Sequence, residues 1–257
     1  MPVKNTLYFG VENVGAYKID SINNEKGNFN SYLNIAMTYR NGNKDYVRIS
    51  EYLEKALKIA DTYNLDNKAH VHTELATNYA QLESYEKADY HIQKALRLGK
   101  EKNNTMSLSF SYQTLGYIYE MRDKDYKKAA ESYEKSLKYS LKMNNKGSII
   151  TCLYSAGFYY IYLDKASRSL EYLKRGLKIS KEIKDDSKII RGNYQLANFY
   201  AYQGNQKEAK YYIQEANKLI GKGSKKPFVE LYTELAKSFE KSHNYKEAYN
   251  NMHLYVV

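Results

Sequence analysis

The 257-residue sequence contains no Trp, a single Cys and only 2 Pro. Cys152 alone cannot close an internal disulfide, and a metal site built on it would need further clustered ligands. With 13 Gly and Pro only at positions 2 and 227, the turn chemistry of a many-stranded sandwich or barrel is missing. No stretch of about 18 consecutive apolar residues occurs, which excludes a hydrophobic membrane-spanning helix. The opening MPVKNTLYFG has neither an apolar core nor a small-residue cleavage site of a secretory leader. These absences predict a soluble, cytoplasmic, helical chain without cofactors.

Hydrophobic residues make up 43% and charged residues 27%, enough apolar material to build a core. The 30 Tyr carry apolar bulk with a polar tip that needs water or a partner, so half-wet surfaces are expected. A net charge of +11 raises the question of polyanion binding, which the distribution of charge must answer.

A motif of an apolar residue, a small residue, two variable residues and an aromatic recurs six times. It reads Ile35-Ala36 with Tyr39, Leu75-Ala76 with Tyr79, Leu115-Gly116 with Tyr119, Ala156-Gly157 with Tyr160, Leu196-Ala197 with Tyr200, and Leu235-Ala236 with Phe239, at intervals of 40, 40, 41, 40 and 39 residues. Downstream of each aromatic stands a mostly small residue (Ile49, Ala88, Ala129, Ser169, Ala209, Ala248), then a large one (Leu53, Ile92, Tyr133, Leu173, Ile213, Met252). A second small position follows at Ala56, Ala95, Ser136, Gly176 and Ala216, with Tyr255 as the exception. Spacings of three and four place these residues on single helical stripes, so each period is a helix pair. Small residues let two helices approach closely while large ones fill the holes between them. One pair cannot bury both of its faces, and it therefore stacks on its neighbours. Polar turns such as Lys44-Asp45-Tyr46 and Asn244-Tyr245-Lys246, and linkers such as Asn144-Asn145 and Asp185-Asp186, share the period.

These residues resemble the tetratricopeptide repeat. The family's small residue at its eighth position is matched by Ala36, Ala76, Gly116, Gly157, Ala197 and Ala236. Its alanine at the twentieth is matched by Ala88, Ala129, Ala209 and Ala248. The period of about 40 rather than 34 and the missing closing proline imply longer helices. Extended repeats of this kind are similar to those in the sensory regions of bacterial regulators and peptide-pheromone receptors. The resemblance implies an all-α fold, a right-handed α-solenoid of antiparallel helix pairs. The corresponding division is a half repeat at 1–28 and repeats at 29–67, 68–107, 108–147, 148–188, 189–226 and 227–257. The half repeat rests on Val14-Gly15-Ala16-Tyr17-Lys18-Ile19-Asp20, which parallels the helical Glu54–Ala60 segment.

No catalytic constellation is visible. His70 and His72 point to different helix faces, and His72 falls at a packing position. Gly221-Lys222-Gly223-Ser224 lacks the preceding strand and glycine spacing of a phosphate loop. Asp123, Asp125, Asp185 and Asp186 sit at turns, and Cys152 reads as a small packing residue. The resemblance implies binding on the face lined by the first helix of each pair. That face draws on Thr73, Thr77, Gln113, Tyr117, Glu120, Tyr154, Phe158, Ile161, Tyr162, Arg191, Tyr194, Asn198, Tyr202 and Lys237. It is aromatic and mostly uncharged, as suits a protein or peptide partner. The alternative is that the same aromatics fill the interior or touch the next repeat. The family's carboxylate clamp is not reproduced: Asn198 fits by type, but Met37 occupies the corresponding place in the first repeat. Lys55, Lys58, Lys94, Lys135, Lys138, Lys174 and Lys178 mix with Glu on the second helices, as on a solvated outer face. The one dense basic run, Lys222 to Lys226, comes without a recognition helix, so nucleic-acid binding is the lesser alternative. The apolar end Leu254-Tyr255-Val256-Val257 has no polar cap, which predicts either that the chain is part of a longer one or that it self-associates through terminal repeats.

Overall fold

The computed structural model describes residues 6–10, 16–20, 25–220 and 229–241. Eleven helices are found among them, α1 (Glu25–Asn41), α2 (Tyr46–Thr62), α3 (Lys68–Gln81), α4 (Tyr85–Glu101), α5 (Thr105–Asp123), α6 (Tyr126–Lys142), α7 (Lys146–Tyr162), α8 (Ala166–Glu182), α9 (Asp186–Tyr202), α10 (Gln206–Ile220) and α11 (Val229–Lys241). Within each unit consecutive helices pack antiparallel, with short turns joining α1 to α5 and α6 to α10 in succession, and the α-solenoid architecture is the observed one. The chain divides into two compact units, residues 1–124 and 125–257. The first holds α1 to α5 and the second α6 to α11.

Both ends of the helices are written into the turns. Asp45, Asn104, Asp125, Asn145 and Asp185 each accept a hydrogen bond from the backbone N–H three residues on, capping α2, α5, α6, α7 and α9. The Lys128 contacts hold the Asp125 carboxyl below its usual range, and Lys188 does the same for Asp185. At the other ends, Lys44, Asn64, Glu83, Asn103, Lys124, Asn144, Asp164, Lys184 and Gly204 all have positive φ. From Asn64 onward most of them are followed by a residue whose N–H reaches back five positions, as Ser84 does to Tyr79, Lys165 to Tyr160 and Asp185 to Ser180. The scarcity of Gly is thus no bar to tight turns, because Asn, Asp, Lys and Glu occupy the left-handed position directly. That conformation costs a non-glycine residue about 1–2 kcal/mol, partly offset by the extra freedom glycine has when unfolded. Lys184→Gly is expected to stabilise the protein by about 0.5–1 kcal/mol, read as a higher urea midpoint at unchanged slope. A lower midpoint would mean that the Lys184 side chain contributes more than its strained backbone costs.

The repeated small positions lie where helices touch. Ala36, Ala76, Ala197 and Ala236 are buried in the first helices, and Ala56, Ala95, Ser136, Gly176 and Ala216 in the second. Leu53, Ile92 and Leu173 fill the spaces opposite them, each contributing roughly 1.5–3 kcal/mol through removal from water. In the second unit one core joins Ile190, Tyr194, Ala197, Ala209, Ala216 and Phe239 across α9, α10 and α11. Another joins Ile150, Tyr154, Leu173, Leu177 and Leu196 across α7, α8 and α9.

The N-terminal segment departs from expectation. Instead of a helix through Val14–Asp20, two strands form, β1 (Thr6–Gly10) and β2 (Ala16–Asp20). They pair antiparallel with Leu7 opposite Ile19 and Phe9 opposite Tyr17. Tyr17-Lys18-Ile19-Asp20 alternates apolar and polar residues with a period of two, and Leu7-Tyr8-Phe9 supplies an apolar partner. The likeness to Glu54–Ala60 rested on too few positions to separate that period from a helical one. The Gly221–Ser224 and Lys222–Lys226 stretches, the sixth pair's second helix from Asn244 and the apolar end at Leu254–Val257 lie outside the described residues.

Candidate functional site

In the second unit, α7 carries Tyr154, Phe158 and Tyr162 one turn apart, and α9 carries Arg191, Gln195, Asn198 and Tyr202 on one stripe. Depth separates them into two sets. Tyr154 and Tyr194 are each 1% exposed and Asn198 3%, so they form the floor and are out of a ligand's reach. The Tyr154 hydroxyl lies 3.0 Å from Ser180 Oγ and donates to the Lys188 carbonyl at 3.1 Å. Burial pushes its pKa up to about 12. Tyr194 donates to Asn217 Oδ1 at 2.7 Å, and Asn198 Oδ1 accepts from Ser238. Ile161 is buried as well. The expectation that Tyr154, Tyr194 and Asn198 meet a ligand is corrected: each spends its polar atom inside the stack, and the interior alternative holds for them.

Phe158, Tyr162 and Tyr202 remain half-buried and touch in sequence. The Phe158 and Tyr162 ring centroids are 5.2 Å apart, and those of Tyr162 and Tyr202 5.6 Å, both edge to face. Lys241 on α11 closes the row, its Nζ 3.7 Å from the Tyr202 ring centroid while it also donates to the Tyr202 hydroxyl. Arg191 and Lys237 are exposed at its borders. Gln195, which sequence reasoning passed over, is 4% exposed, and its Oε1 has no hydrogen-bond partner among the described residues. Its place one turn from Arg191 and Asn198 was legible in the spacing. Its orphaned acceptor was not, because that depends on which neighbours turn away.

The first unit builds its first-helix face differently. Thr73 is buried and lies 2.9 Å from Ser111 Oγ, while Thr77 lies 3.1 Å from Thr114 Oγ1. Gln81 donates to the Tyr117 hydroxyl, and Arg40 pairs with Glu74. Side chains assigned from sequence to a ligand thus bridge neighbouring helices, and Thr73 is corrected to a core position. Thr77, Gln113, Tyr117 and Glu120 are half-buried, and Met37 on α1 and Phe110 on α5 are exposed. Gln113 Nε2 is buried and unpartnered among the described residues.

The expected packing role of His72 holds, in company the sequence reading did not pick out. His72 Nδ1 lies 2.9 Å from His91 Nδ1, both residues being buried. Two ring nitrogens at this distance need one donor and one acceptor, so at least the accepting ring is neutral. Burial lowers the His72 pKa to about 4, with a smaller contribution from His91, and burial also lowers that of His91. His70 is exposed. Burial raises the Cys152 thiol, which donates to Ser136 Oγ at 3.1 Å, a setting opposed to thiolate chemistry. Among the described residues no group of three or more His, Cys, Asp or Glu is placed to hold a metal ion. No helix among them is long and apolar enough to cross a membrane.

Residues 111–142 match the Tetratricopeptide repeat family. The resemblance read from the repeated small and aromatic positions is therefore borne out. No curated protein matches the chain by sequence. Among solved structures, the apo form of RapI is 18% identical with a TM-score of 0.77, covering 92% of this chain and 84% of its own. A Rap protein complexed with Competence and Sporulation Factor is 18% identical with a TM-score of 0.74, over 91% of this chain and 64% of that one. This chain thus spans under two thirds of the latter's length. Kinesin light chain-like repeats of Podosopora anserina are 16% identical with a TM-score of 0.62, over 75% of this chain and 94% of theirs. At these identities the likeness is one of fold.

Proposed function

We propose that this tetratricopeptide-repeat chain is a noncatalytic scaffold whose second unit holds a protein or peptide segment on the face of α7, α9 and α11. The row Phe158, Tyr162, Tyr202 and Lys241 carries the reading. Half-buried aromatics already fixed by one another offer large contact area at little cost in side-chain freedom. Exposed Arg191, with Lys241 at the end of the row, would favour a segment bearing a carboxylate. That a similarly folded Rap protein was crystallised with a bound factor is consistent with a ligand-sensing role in a cytoplasmic regulator. The first-unit face, with Met37, Phe110 and Gln113, is an additional contact surface in this reading.

The test is selection from a random peptide display library, with a nucleic-acid pool beside it at physiological salt. Selected peptides are expected to lose at least about tenfold in affinity for a Phe158→Ala/Tyr162→Ala/Tyr202→Ala variant whose far-ultraviolet circular dichroism is unchanged. Unchanged affinity would remove the assigned face. Enrichment from the nucleic-acid pool with a steep salt dependence would favour the electrostatic alternative instead.

A further inference from the structure

A second recess lies on other helices of the second unit. It is a groove of about 530 Å³ lined by Lys174, Leu177, Lys178, Lys181 and Glu182 of α8, with Leu196 of α9 and Tyr212 of α10. One wall carries Lys174, Lys178 and Lys181, spaced four and three residues apart and therefore on one face of α8. All three are exposed, and none forms an ion pair with a carboxylate among the described residues. The one acid at the rim, Glu182, faces Lys146 at 3.8 Å. Tyr212 is held by stacking on Tyr200, with ring centroids 5.6 Å apart and planes 7° from parallel.

We propose that this groove binds an acidic amphipathic helix of a partner protein. It is a site separate from the aromatic face and does not depend on that face being occupied. The lysines repeat along α8 with the period that Glu or Asp shows along one side of another helix, so three pairings can form in register. The floor selects among anions. Leu177 is 7% exposed and Leu196 0%, so the apolar surface is recessed behind the ammonium groups. A flat bilayer cannot reach it, and Tyr212, the one aromatic ring lining the groove, already has one face taken by Tyr200. One large apolar side chain entering between acidic neighbours can lie against the half-buried Tyr212, which is the pattern of an amphipathic helix.

The full chain would be titrated against a fluorescein-labelled Ala-rich helical peptide with Glu at i, i+4 and i+7 and Leu between them, followed by fluorescence anisotropy. A matched peptide with Lys for Glu, anionic phosphatidylglycerol vesicles and single-stranded DNA serve as the other arms. The Glu peptide is expected to bind, to weaken as salt rises, and to lose at least about tenfold against Lys174→Glu/Lys178→Glu/Lys181→Glu with unchanged circular dichroism. The aromatic-face variant Phe158→Ala/Tyr162→Ala/Tyr202→Ala is expected to bind the peptide as the parent does, which separates this site from the other. The proposal is overturned by the absence of binding, by equal binding of the Lys peptide, by affinity that survives the charge reversal, or by vesicles or DNA binding at this site while the peptide does not.

Discussion

Gly192→Ala is expected to destabilise the protein by about 3 kcal/mol, the upper end of what overpacking a close-packed interior costs. A Cβ at position 192 would fall on the Tyr154 hydroxyl, 2.7 Å from its Cζ and 3.2 Å from Leu177 Cδ1. The tyrosine cannot step aside, because its ring also lies where a Cβ on Gly176 would be, 2.5 Å from Cε1 and 2.7 Å from Cδ1. Two glycines on α8 and α9 therefore make the slot into which α7 inserts one ring. Tyr154→Phe alone should cost about 1–2 kcal/mol through the lost contacts with Ser180 and Lys188. Combined with Gly192→Ala it should cost less than the sum, since the clashing oxygen is gone. Gly176→Ala meets the ring carbons instead and should gain no such relief. Urea unfolding of the four variants and the Gly176→Ala/Tyr154→Phe pair checks this, and strict additivity at position 192 would refute the slot.

The second large effect lies on the acid side of the stability curve. His72 and His91 are neutral in the folded chain, with the His72 pKa lowered to about 4, whereas an unfolded histidine takes up its proton near 6.5. Between those values the unfolded state binds more protons. Stability is therefore complete above the unfolded pKa and falls as pH drops toward 4. The surroundings only partly oppose this: Asp61 favours the His72 cation while Lys94 and Lys68 disfavour it, and Glu54 and Lys87 act in those two senses on His91. A loss of about 2 kcal/mol between pH 7 and pH 4 is expected from the pair, less than the full His72 shift would give because water reaches the edge of the site. His72→Gln/His91→Gln should flatten the corresponding limb of the melting-temperature profile between pH 4 and pH 6.5. An unchanged limb would place the acid sensitivity in other groups.

The helix pairs were legible because one physical requirement, close approach at Ala, Ser or Gly, recurs at fixed intervals from Ala36 to Ala236. The depth of the first-helix residues was not legible in the same way. Tyr154 and Phe158 are both aromatic and one turn apart, yet one is floor and the other rim. The difference is set by Gly176 and Gly192, which stand 22 and 38 residues downstream of Tyr154. Thr73 and Thr77 read as ligand contacts because spacing gives direction, but it cannot say that Ser111 and Thr114 on the next first helix stand close enough to take their hydroxyls. His91 could have been paired with His72, being 19 residues on, the same offset as Ala56 to Leu75. The N-terminal hairpin shows the opposite failing, where a seven-residue likeness outweighed an alternation that belonged to a strand.

The left-handed residues at the helix ends carry a consequence for how such a gene can change length. They recur at positions 44, 64, 83, 103, 124, 144, 164, 184 and 204, so the backbone returns to the same conformation about every twenty codons while the side-chain pattern returns only every forty. A deletion or duplication of one stretch of twenty would join two turns of matching shape but set first-helix residues where second-helix residues belong. One of forty restores both backbone and pattern. Recombination between such turns would accordingly be tolerated in whole pairs, and length variation in relatives of this chain should come in steps of about forty residues.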